Sequence, residues 1–170
     1  MDKIDYQILE LLKSNGRERA SEISKEVHLT VSTVIERIKK METSGIIKGY
    51  TVLTDDPQVG NDVTAIIEVG LDHPKYEDAF SDCIKKHPNI IACYYLTGEY
   101  DYILKLTCRS SHHLEEIHSW IKGQPGIRKM KTHYVLKTVK NIYTSLPREE
   151  VTSKTKKRKK SSDDEQDMDE

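Results

Sequence analysis

Ile4, Ile8, Leu11 and Leu12 recur at i, i+4, i+7 and i+8, the apolar stripe of an amphipathic helix. Asn15-Gly16 follows as its stop, since glycine tolerates the left-handed conformation that ends many helices. A second helix is predicted over residues 20–27, burying Ile23 and Val27. His28-Leu29-Thr30 reads as a turn whose Thr30 hydroxyl caps a third helix, which runs to about Ser44 before Gly45 ends it. At 100° per residue, Val31, Val34, Ile38 and Met41 fall on one side of that helix. Ser32, Thr33, Glu36, Arg37 and Lys40 fall largely on the other.

Beyond Gly45 the periodicity changes. Residues 46–53 read as extended, with Gly49 a kink, and give a short wing-like strand. Asp55-Asp56-Pro57 and Gly60-Asn61 mark a linker. A strand is then predicted over 63–71 and a helix over 75–86, with Tyr76, Ala79, Phe80 and Cys83 at helical spacing. A strand over 90–96, a turn over 98–101, and a strand over 102–108 follow. A helix over 110–122 carries Leu114, Ile117 and Ile121 on one face, Pro125-Gly126 breaks it, and a long strand covers 127–140. The order βαββαβ is the ferredoxin-like arrangement, an antiparallel sheet with both helices on one face. The fold class is therefore α+β in two domains. Residues 1–50 form a winged helix-turn-helix, 51–62 a hinge strand or linker, 63–143 the ferredoxin-like domain, and 144–170 a tail.

Composition narrows the function classes. Of the 170 residues, 36% are hydrophobic and 32% charged, and no apolar run approaches the roughly 18 residues of a membrane span. The charged N-terminus lacks a secretory signal, so a cytoplasmic location without membrane association is expected. Net charge is −1, with residues 1–60 carrying nine Lys and Arg against ten Asp and Glu. Binding to nucleic acid must therefore rest on a local basic face. Cys83, Cys93 and Cys108 are odd in number, widely spaced and without a CxxC, so they read as three small buried hydrophobes in a reducing compartment. His112, His113 and His118 share a helix, but no cysteine or carboxylate completes a metal set, and no metal or cofactor is expected. Nucleophile motifs, a P-loop and GxGxxG are all absent, so no catalytic residue is assigned. In the tail, Lys154 to Lys160 holds six basic residues in seven and Asp163 to Glu170 six acidic in eight. Both blocks read as disordered. The basic block reads most simply as added nonspecific phosphate affinity for which the acidic block could compete; a plain solubilising tail is the alternative.

Two short helices joined by a tight turn, the second polar and basic, have the layout of a helix-turn-helix, which sets its second helix in the major groove of duplex DNA. Arg37 and Lys40 suit phosphate contacts, and Lys39 and Lys48 add flanking ones. Read in isolation, the same charges would be a solvated helix face shared with Glu36 and Glu42.

Across roughly residues 2–143 the chain resembles the Lrp/AsnC, or feast/famine, family. The resemblance is carried by IDYQILELLKSNGR leading to SGIIKGY, by TGEYDYIL (97–104) close to a TG-[DE]-YD signature, and by QPGIRKMKTHYVLKTVK. It implies DNA binding by homodimers built up to tetramers or octamers, and a response to a small amino-acid effector. It places Ser32 and Thr33 at base edges, and with Glu36, Arg37, Lys39, Lys40 and Lys48 they make up the expected DNA-binding set. It places the effector on Gly98, Glu99, Tyr100, Asp101 and Thr132 at a dimer–dimer interface. Three departures stand out: Arg19 where Ser or Thr often caps, His28 where Gly is common, and Met130 where the first Thr of a TxT pair is expected. Two rivals stay open. One is a sirohaem-type tetrapyrrole decarboxylase on the same scaffold, using His118, Arg109 and Arg128; the other is a chromatin-like architectural DNA-binding protein.

Overall fold

The computed structural model of the chain describes residues 1–147. The two charge blocks of the tail lie outside the described residues. Two compact units divide the chain, Met1–Val34 together with the stretch from Tyr143, and Ile35–Ile142, so the boundary falls inside one helix.

The first unit holds α1 (Lys3–Ser14), α2 (Ala20–Glu26) and the start of α3 (Val31–Thr43). Asp2 and Asp5 close a reciprocal capping box at the start of α1, each carboxylate accepting the other's backbone N–H at 2.9 Å. The expected left-handed glycine is not what stops α1. Asn15 turns extended at φ −144°, and its side-chain oxygen accepts from Arg17 N at 3.1 Å, so an asparagine turn ends the helix. Ile8, Ile23 and Val34 are wholly buried and Val27 nearly so, matching the expected stripes. Val31 departs from its expected place on the buried side of α3 and is exposed, because it sits in the first turn at the edge of the stripe.

Gly45, at φ +74°, ends α3 as expected, and Ile46 N donates to Met41 O at 2.9 Å to close the last turn. The wing-like strand expected over 46–53 joins no ladder among the described residues, since no neighbouring backbone in this chain pairs with it. Tyr50 there donates its hydroxyl to Glu42 Oε1 at 2.9 Å.

The second unit contains β1 (Val63–Leu71), α4 (Glu77–Ile84), β2 (Ile90–Tyr95), β3 (Tyr102–Cys108), α5 (Ser111–Lys122) and β4 (Ile127–Tyr134). The sheet order is β2-β3-β1-β4, antiparallel throughout, as the βαββαβ reading requires. Alternate residues of β1 (Val63, Ala65, Ile67, Val69) and of β3 (Tyr102, Leu104, Leu106, Cys108) are buried. They pack with Phe80, Ile84, Ile117 and Ile121 of the helices in one core. The Phe80 and Tyr102 rings meet at 4.9 Å.

Several boundaries moved for physical reasons. β4 stops at Tyr134 because β1, its one partner among the described residues, begins at Val63, and Val135 N donates to Thr64 O at 2.9 Å just beyond the strand. Residues 74–76 form a 3-10 turn before α4, with His73 Nδ1 accepting from Lys75 N at 3.1 Å. Ala79 is exposed and not part of the α4 core face. Of the cysteines only Cys108 is buried; Cys93 is exposed because β2 is an edge strand. No helix among the described residues is long and apolar enough to cross a membrane.

Candidate nucleic-acid interface and effector loop

The turn between α2 and α3 is built from the residues that the sequence marks. His28 takes φ +54°, and Leu29 N reaches back to Ser24 O at 3.0 Å, so a histidine fills the left-handed position. Thr30 Oγ1 then caps α3 by accepting from Thr33 N at 3.3 Å. The same oxygen lies 3.0 Å from Ser32 Oγ and 2.8 Å from Thr33 Oγ1. Both hydroxyls expected at base edges are thus oriented by one threonine. Arg19, at the start of α2, makes no side-chain cap, as its departure from Ser or Thr implies.

Ser32, Glu36, Lys39 and Lys40 are exposed on α3, and Thr33 and Arg37 are half-buried. Arg37 already has an interaction partner within the chain. Lys48 is exposed just beyond the helix. One continuous helix therefore presents hydroxyls at its N-terminal end and cations over its next two turns. Ile35, which no sequence motif marks, is 52% exposed beside these residues. The signal was available, since Ile35 lies 100° from buried Val34.

The 98–101 loop joins β2 to β3. Gly98, at φ +128°, holds a conformation that side-chain-bearing residues rarely adopt. Asp101 ties the loop to the end of β1: its N–H donates to Val69 O at 3.0 Å, and its Oδ2 accepts from Leu71 N at 2.7 Å, at the bulge between Gly70 and Leu71. One oxygen of the carboxylate expected to meet an effector is thus committed to the fold. Lys129, which sequence reasoning did not single out, reaches the loop from β4. Its Nζ lies 2.8 Å from Glu99 Oε1 and 4.4 Å from the centre of the Tyr100 ring. That ammonium holds the Glu99 carboxyl below its ordinary range.

Thr132 is not brought to this loop within one chain. It pairs with Ile67, three residues along β4 from Lys129 and on the opposite face. Met130, opposite Val69, packs against the core, which explains an apolar residue there. One cavity of about 400 Å³ is lined by Tyr6, Glu10, Leu11 and Val27, and another of about 390 Å³ by Ser81, Ile90, Cys93 and Tyr102. Neither includes a residue of the loop or Thr132.

Among the described residues, no group of three or more His, Cys, Asp or Glu is placed to hold a metal. His112 stands 3.6 Å from both Glu115 and Glu116 on the exposed side of α5, while the Nδ1 of half-buried His113 is enclosed without a hydrogen-bond partner among the described residues. His118, Arg109 and Arg128 come from α5, the end of β3 and β4, and line neither cavity.

Residues 1–42 match the family described as the AsnC-type helix-turn-helix domain, and residues 64–144 match the Lrp/AsnC ligand binding domain. The HTH-type transcriptional regulator FL11 of Pyrococcus horikoshii is 36% identical over 147 residues, covering 86% of this chain and 96% of that protein. LrpC of Bacillus subtilis is 32% identical over 139 residues, covering 82% and 94%. Among solved structures, a transcriptional regulator from Neisseria meningitidis in complex with L-Met superposes with a TM-score of 0.81 at 30% identity, covering 86% of this chain and 96% of that one. AsnC of E. coli gives 0.77 at 28% identity, covering 86% and 97%.

Proposed function

The chain belongs to the Lrp/AsnC family of DNA-binding transcription regulators, and from that premise we propose that it reads operator DNA through α3 and senses a small amino acid at loop 98–101. The observation that carries the DNA half is the α3 face: Ser32 and Thr33 set by the Thr30 cap, then Glu36, Arg37, Lys39 and Lys40 along the same helix. The hydroxyls meet base edges, while Arg37, Lys39, Lys40 and Lys48 meet phosphates and fix the register. Two-fold pairing of chains presents two such helices to half-sites about 34–36 Å apart or multiples of that. Arg37→Ala with Lys40→Ala, assayed by gel shift on a selected duplex, is expected to abolish specific binding. Undiminished affinity would sink the docking of α3.

The effector half rests on Gly98, Glu99, Tyr100, Asp101 and Thr132. Gly98 and Glu99 are exposed, neither of the two cavities described above includes a loop residue, and Thr132 lies apart, which supports a site walled by a second copy. Assembly is supported by apolar side chains left in water in one chain: Leu136 is 93% exposed, Val139 90% and Val52 81%. An effector changes DNA occupancy only as far as it prefers one assembly over another. L-methionine is the first probe, because the Neisseria relative was solved with it. Sedimentation with and without L-methionine and the other proteinogenic amino acids tests this half. An unchanged assembly and no binding heat for any of them would sink it.

A further inference from the structure

α3 shows two β-branched apolar side chains to solvent on its way past the cations. Ile35 is 52% exposed and Val31 42%, while Val34 and Met41 fill the buried stripe of the same helix at 0% and 2%. One turn apart, Val31 and Ile35 form a ridge continued by Lys39, and Ile35 stands about 60° around the axis from Ser32. An apolar ridge on the outward part of a helix calls for a partner surface. The exposed Lys39 and Lys40 beside it call for an anionic one.

The hydroxyls leave something for this ridge to do. Ser32 and Thr33 can each donate or accept, so they meet purines and pyrimidines alike and discriminate weakly. In the major groove the one apolar group that a natural base pair displays is the C5-methyl of thymine. We propose that Ile35, backed by Val31, reads thymine by packing on that methyl group, next to the base met by Ser32. This rests on the reading that α3 docks in the major groove.

The test uses the full chain and a duplex that it selects from a random library. Each thymine of the half-site is replaced in turn by deoxyuridine, which removes the methyl and leaves the pairing intact. At one position or more, wild-type affinity is expected to fall about three- to fivefold, the worth of one buried methyl group. Ile35→Ala is expected to bind the thymine and uracil duplexes equally. A wild-type chain indifferent to every methyl overturns the inference without any variant, and so does an Ile35→Ala chain that keeps the wild-type ratio. A changed sedimentation mass for Ile35→Ala also overturns it, since the ridge would then be covered by another copy. The Arg37→Ala, Lys40→Ala chain separates the two ideas. If it keeps wild-type affinity, the docking of α3 has failed; if it loses affinity while methyl removal does nothing, only the thymine contact has failed.

Discussion

Lys129 on β4 and Glu99 in the β2–β3 turn are joined across β1, with Lys129 Nζ 2.8 Å from Glu99 Oε1. The stem crosses at Gly70: a Cβ built there would stand 2.9 Å from Lys129 Cγ and 3.1 Å from Cε. Glycine at 70 is therefore what lets a lysine from one strand brace the loop beyond the next.

Removing the brace should be visible at Glu99. Lys129→Met is expected to raise the Glu99 pKa toward its ordinary value, because the Lys129 hydrogen bond and charge are the main causes of its depression. Gly70→Ala should act the same way by pushing the stem aside. Carboxyl NMR titration checks both, and high salt should shift the wild type in the same direction. The melting temperature should barely move, since the Glu99 end of the pair is exposed and methionine keeps the apolar stem of the half-buried Lys129. An unmoved Glu99 titration in Lys129→Met rules the brace out.

Gly126 is a harder constraint. It holds φ +82°, and an added Cβ would fall on the Tyr76 ring. Gly126→Ala combines left-handed strain with overpacking and should cost about 2–4 kcal/mol in urea unfolding. Tyr76→Ala in the same background should recover part of the loss. A loss under about 1 kcal/mol would mean that the turn relaxes freely.

The difference between these glycines and the rest of the chain shows what the sequence could convey. Periodicity placed β1, β3, α5 and the Thr30 cap to within a residue or two, because each buries a regular stripe or closes a local bond. Residues 46–53 look like a strand, yet a strand is a pairing, and no local pattern supplies the partner. Lys129 was invisible for a related reason: its role depends on Gly70 and Glu99, which sit 59 and 30 positions away and meet only once the sheet forms. Asp101 was legible as a loop carboxylate, but its bond to Leu71 N needed the β1 bulge.

Stability should respond to pH through His87. Its ring packs on Trp120 at 4.5 Å, its Nδ1 accepts from Asn89 N at 3.3 Å, and burial followed by the nearby His113 lowers its pKa. The folded state therefore favours the neutral ring. As pH falls through the ordinary histidine range near 6.5, the unfolded chain takes up a proton first and stability declines. The contribution is present above that range and is lost on going down toward the folded pKa. Urea midpoints from pH 7.5 to 5 should fall more steeply for the wild type than for His87→Gln. Parallel curves would remove His87 as the cause.

His28 offers a test of the turn that aims α3. A histidine at φ +54° is strained relative to glycine, though less than a β-branched residue would be. His28→Gly relieves that strain but gains chain entropy in the unfolded state, so the net change should be stabilising by about 0.5–1 kcal/mol. His28→Val should cost about 1–2 kcal/mol, because Cβ branching crowds the left-handed region. The bond from Leu29 N to Ser24 O, which closes the turn at 3.0 Å, should persist in the glycine variant and weaken in the valine one. Urea unfolding gives the energies, and amide exchange at Leu29 reports the bond. The ordering Gly, His, Val in stability identifies backbone conformation as the determinant. Equal stability of the histidine and valine chains would show that the turn is held by other contacts and that residue 28 follows it.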